Sequence, residues 1–135
     1  MKMSDLLGQH MLSGVSFGEY KIRRGYNKGE TANTVDFILD NEIISAIEDP
    51  CDGFRSAMRT LIKHRNVVIE NTFPPIKVIG VEMPSDYDRK NDAIEFFDSI
   101  TGKIVLSVGT ENVGDYYPIF ISRFNPENMV CNVVN

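Results

Sequence analysis

Residues 48–65 read EDPCDGFRSAMRTLIKHR, and the fold class turns on them. Three acids and a cysteine fall within the first five residues, and Lys63, His64 and Arg65 close the run. Phe54, Met58, Leu61 and Ile62 recur at i, i+4, i+7 and i+8, the spacing of one helical face. Asp49 before Pro50 has the form of an N-cap followed by proline at the first helical position. Asp52 stands where a capping box carries its acid. Acids at the start and bases at the end complement the helix dipole. The segment is therefore expected to form an amphipathic helix, and Cys51 needs no reaction to justify it. Arg55, Arg59 and Lys63 form a second stripe on the same helix.

On either side, short β-branched and aromatic runs are cut by turn residues. Residues 13–24 read as a first strand, with a bulge near Gly18. TANTVDFIL (31–39) reads as a second, with Val35, Phe37 and Leu39 on one face. Asp40–Asn41 is a two-residue hairpin signal, because both residue types tolerate positive φ. EIISAIE (42–48) pairs back as a third strand. Residues 66–71 read as another strand, and the prolines of TFPP (72–75) are expected to end any ladder. IKVIGVEM (76–83), AIEFFDSI (93–100), KIVLSVGT (103–110) and PIFISRF (118–124) complete the set. About eight strands and one helix predict an α+β fold, a mainly antiparallel sheet with the helix packed on one face. Residues 1–12 are expected to be a mobile segment ahead of a single domain, 13–135.

The chain has 135 residues, 42% of them apolar, enough for a real core. Its net charge of −5 arises entirely in the second half: residues 1–67 carry 9 bases and 9 acids, residues 68–135 carry 5 and 10. That balance argues against a general nucleic-acid binder. Two distant cysteines, Cys51 and Cys131, fit free thiols in a reducing cytosol better than a disulfide scaffold. No apolar run approaches the ~18 residues of a membrane span. The start MKMSDLLGQHMLSG is a poor signal peptide.

Motifs for chemistry are lacking. Asp86 to Asp92 begin with the D-x-D spacing of a calcium loop, but Lys90, Asn91 and Phe97 stand where that loop needs other residues. Two histidines and two cysteines, scattered, do not make a zinc site. Neither His10 nor His64 has a sequence neighbour that suggests a triad, although a small hydrolase assembled in space stays open. GYNKGET (25–31) does not match a phosphate loop. No cofactor and no metal site is expected. Two constellations remain. Asp115, Tyr116 and Tyr117, with Asp86, Tyr87 and Asp88, offer loop tyrosines among acids, a composition suited to a protein partner with a basic surface. Arg23, Arg24, Arg55, Arg59 and Lys63 offer a cationic patch, either a solvated face or a site for a phosphate-bearing nucleotide.

LSGV leading into a hairpin, EDPCDGFRSAM at a helix start and VGTENVGDYYP before a last strand are similar in style to small bacteriophage accessory proteins, across roughly residues 12–128. The resemblance carries no site residues. It implies a non-enzymatic protein in the host cytoplasm that binds one host component, frequently of the immune system. The leading expectation is thus a counter-defence protein that blocks a host protein, with a nucleotide sponge as the alternative. Unpaired sheet edges leave homo-oligomerisation open.

Overall fold

The structure, a computed structural model, describes residues 1–52, 55–84, 92–111 and 119–130; of strand residues 50–52, 55–57 and 59 it describes the backbone alone. Among the described residues, eight strands form one antiparallel sheet. They are β1 (Gly8–Lys21), β2 (Thr31–Leu39), β3 (Glu42–Asp52), β4 (Arg55–Lys63), β5 (Thr72–Glu82), β6 (Ala93–Asp98), β7 (Ile104–Glu111) and β8 (Ile119–Phe124). Their order across the sheet is β4-β3-β2-β1-β5-β6-β7-β8. Two four-stranded meanders therefore meet at β1. The later part of β1 pairs with β2, its first part pairs with β5, and Leu12 opposes residues on both neighbours. A bulge between Leu12 and Gly14 marks the change.

The hairpin between β2 and β3 follows from its two turn residues. Asp40 and Asn41 have φ of 52° and 65°, as a tight hairpin of the primed type needs. Val35, Phe37 and Leu39 alternate into the core, opposite Ala46, Ile44 and Glu42. The prolines at 74 and 75 do not end the ladder as expected. They sit inside β5, where the pairing to β1 skips from Ile76↔Leu12 to Thr72↔Gly14 and has no register for them to break.

The expected helix is absent, and the fold is nearly all antiparallel β rather than α+β. Residues 42–63 make the β3–β4 pair instead. The helical spacing came from a β-bulge. Thr60 opposes Ile47 and Met58 opposes Glu48, so Arg59 has no counterpart on β3. One extra residue shifts the two-residue alternation by one. Met58 and Leu61, three apart, consequently both pack toward the core. A second register shift, between Asp49 and Asp52, takes up Pro50 beyond the last β2–β3 pair, Thr34↔Ile47. The tertiary context favours this arrangement. Ile44, Ser45, Ala46 and Ile47 are all buried, so β3 is covered on both faces and its second edge needs hydrogen-bond partners.

With β4 at one margin and β5 at the centre, residues 64–71 must cross β3, β2 and β1. They do so without strand structure, in contrast to the strand expected at 66–71. The crossover lies close on β1. Asn71 O accepts from Val15 N at 2.9 Å, and Glu70 N donates to Ser16 Oγ at 2.7 Å. A Cβ on Gly14 would come within 2.9 Å of Ile69 Cγ2, so a side chain there would lift the crossover. Arg65 spans the strands beneath it. Its Nη2 donates to Glu19 O at 3.1 Å, its Nη1 lies 3.5 Å from Asp36 Oδ1, and its guanidinium stacks 5.5 Å from the Tyr20 ring centre. Asp36 also accepts from the Ser45 hydroxyl.

The sheet curls until β4 lies against β7 and β8. Met58 N donates to Thr110 Oγ1 across that seam at 2.7 Å. The core lies inside the curl, where Phe37 and Phe96 meet at 5.9 Å between ring centres. Burying a side chain of this size stabilises by about 1.5–3 kcal/mol. Residues 1–12, expected to be mobile, include the fully buried Leu6 and Leu12 and the first turn of chain into β1.

Candidate functional site

Among the described residues, one end of β5–β8 joins two connecting segments. Both β5 and β7 are antiparallel to β6, so they run the same way. Segments 83–92 and 112–118 therefore leave and re-enter the sheet at one end. Their described stems are bonded together. Thr110 N donates to Asp92 O at 3.0 Å, and Met83 N donates to Ala93 O at 2.9 Å. Gly109 makes the first contact possible. Its φ is 129°, and a Cβ there would stand 2.1 Å from Asp92 O. Only glycine meets both demands. Since Thr110 also accepts from Met58, three strands converge on this point.

Charge gathers beside it. Glu95 opposes Ser107, and Ser107 opposes Arg123, so the three form a row across β6, β7 and β8. Arg123 Nη2 donates to Glu111 Oε2 at 2.8 Å. Burial raises the Glu95 pKa above the usual glutamate range, and the negative charge of Glu111 raises it further, against a smaller opposing effect of Arg123.

His10 and Asp40 form the other notable pair. His10 Nδ1 lies 2.6 Å from Asp40 Oδ2, and Nε2 lies 3.1 Å from Leu7 O. Both ring nitrogens lie within hydrogen-bond reach of an oxygen. Burial works to raise the Asp40 pKa, but hydrogen bonds from His10 and the Met11 amide, with the imidazolium charge, hold it below the ordinary value. A general base needs a free nitrogen lone pair, and here Leu7 O occupies the distal position. The pair ties the start of β1 to the β2–β3 turn.

The residues singled out from sequence are placed as follows. Asp86, Tyr87, Asp88, Asp115, Tyr116 and Tyr117 lie outside the described residues, although the stems that carry them are joined as above. Arg55 and Arg59 lie on β4, with their side chains outside the description. On a strand, positions 55 to 63 span ~26 Å, about twice their reach on a helix, so the expected stripe is drawn out. Lys63 pairs with Glu42 at 2.9 Å. Arg23 and Arg24 are exposed after the end of β1, at the opposite end of the first meander from Lys63. The sequence reading takes in Asp92 as the last residue of the 86–92 loop, but misses Glu95, Gly109, Thr110, Glu111 and Arg123. The alternation of AIEFF could have set Glu95 apart from Ile94 and Phe96, but nothing local pairs it with Glu111.

Among the described residues, no cluster of three or more metal-ligating side chains occurs, and no helix is long and apolar enough to cross a membrane. No family model, no curated protein and no solved structure matches this chain.

Proposed function

We propose that the protein is a binding protein without catalytic activity, which blocks a host protein through the end of β5–β8. The observation that carries this reading is the Thr110 N to Asp92 O bond, which joins the stems of the two segments rich in acid and tyrosine. Residues 82–92 and 111–118 hold six acids (Glu82, Asp86, Asp88, Asp92, Glu111 and Asp115) against two bases, Arg89 and Lys90. An acidic excess of this kind steers a basic partner and speeds encounter. Tyr87, Tyr116 and Tyr117 bring the large amphipathic rings that carry interface energy. The engaged Nε2 of His10 supports the non-enzymatic side of the reading. The similarity in style to phage accessory proteins supports a site of action in the host cytoplasm. The nucleotide-sponge alternative loses support from the spread of its cations along β4 and the Lys63–Glu42 pair.

The test is capture from host lysate on immobilised protein, with native mass spectrometry alongside. A stoichiometric partner is expected, with retention reduced at least about tenfold by Tyr116→Ala with Tyr117→Ala, and with the melting temperature unchanged. Unaltered retention in that variant sinks the surface. A nucleotide-sized added mass, lost on charge reversal at Arg55 and Arg59, would replace this reading with the sponge.

A further inference from the structure

A cavity of about 240 Å³ opens between β4, the first residues of the chain and the residue ahead of β6, lined by Met1, Met3, Met58, Thr60, Leu61 and Asp92. Three of its six lining residues are methionines, whose unbranched thioethers adapt to the shape of what they hold. Its acid is exposed, and the Asp92 carboxylate makes no ion pair with a described residue. The cavity is not separate from the joined stems. Met58 N bonds Thr110 Oγ1, and Thr110 N bonds Asp92 O, so wall and stem share the same residues.

We propose that this cavity is the anchor point of the binding surface, and that it takes an arginine side chain of the partner. The inference rests on the binding reading above and names the group recognised. An arginine has an aliphatic stem that methionine and leucine can cover, and a planar cation that one carboxylate can receive. Arginine is also among the residues that dominate interface energy when seated in a pocket. A wholly apolar side chain would use the methionines and gain nothing from the Asp92 carboxylate, a poorer match.

The probe is n-propylguanidinium, with n-pentanol as its neutral counterpart, titrated against protein carrying methyl-¹³C methionine. Met3→Leu and Met58→Leu assign the signals. Saturable shifts of the Met3 and Met58 methyls are expected with the guanidinium, about fivefold weaker in Asp92→Asn and about fivefold weaker for the alcohol. Asp92→Asn keeps the backbone acceptor that Thr110 uses, so the stem remains closed. It should also lower partner retention. Equal binding of alcohol and guanidinium, absence of saturable shifts, or undiminished retention by Asp92→Asn would each overturn the anchor. Failure of the wider reading shows itself differently, as unaltered retention in the Tyr116/Tyr117 double variant while the guanidinium titration still saturates.

Discussion

On β1–β4 the outer face is covered by the chain's own crossover, and its acid, Asp36, is 5% exposed with Ser45 and Arg65 as partners. On β5–β8 every connection is between neighbouring strands, so the topology requires no crossover there, and Glu95 stands with Glu111 for a neighbour. The two meanders have the same strand count and opposite electrostatic outcomes. In the first, a carboxylate is closed off and paired, which makes it part of the fold. In the second, Glu95 lies beside Glu111, whose carboxylate Arg123 pairs at 2.8 Å, so one of the two acids has no ion pair among the described residues. The topology produces the difference, because only the first meander has to be crossed to reach the second.

Asp36→Ala should break this contrast most severely. Removing the buried carboxylate takes the acceptor from Ser45 and the counter-charge from Arg65, and urea unfolding should show a loss of about 2–4 kcal/mol. Arg65→Ala should approach the same value and free the crossover, read as faster amide exchange at Val15 and Glu70. Gly109→Ala comes next. A Cβ would collide with Asp92 O at 2.1 Å on a backbone with φ of 129°, so a loss of about 1–3 kcal/mol is expected. Because the collision forces the two stems apart, partner retention should fall with it.

Asp98 sharpens the comparison inside the second meander. It is 2% exposed, and it accepts from Ile100 N at 2.8 Å, Thr101 N at 3.1 Å and Val130 N at 2.9 Å. Burial works to raise its pKa, but the three amides outweigh burial and bring it below the ordinary aspartate value of 3.8. A folded pKa that is depressed gives stability above the unfolded value and loses it as pH falls through the folded one. Asp98→Asn should therefore cost about 1–2 kcal/mol at neutral pH, and the two proteins should converge in strong acid. Glu95 has the opposite sign. Its folded pKa lies above the ordinary 4.5, so its contribution is intact below that value and is lost as pH rises through the folded pKa. Glu95→Gln should then match the wild type in acid and exceed it at neutral pH by a few tenths of a kcal/mol, after solvent screening. Thermal melts across pH for both variants check the two signs together.

Much of the strand pattern was legible. Residues 31–39 form β2 with the expected boundaries, and Asp40–Asn41 turns as its residue types suggest. The stretch at 48–65 was not. Capping residues, a proline and apolar spacing all agreed on a helix, because a bulge at Arg59 and an amphipathic helix both put Met58 and Leu61 on one side. The candidate site was legible only in its composition. The acids and tyrosines of the two segments could be counted, but their stems meet through a backbone contact that needs no particular residue at 92.

Local rules determined the core face of β2, the alternation along β6 and the hairpin turn at Asp40–Asn41, since each depends on residues within a few positions of one another, and composition alone gave the acidic excess of the second half. The tertiary structure alone decided that residues 55–63 are a strand, that Asp36 is buried, and that Asp92 touches Thr110. Those outcomes depend on an edge of β3 needing partners, on a crossover needing a path, and on a sheet curling until β4 reached β7. None of these demands exists in a peptide. An isolated helix of about 14 residues is only marginally stable in water, so the local preference at 48–65 was small against the hydrogen bonds and burial that pairing with β3 supplied.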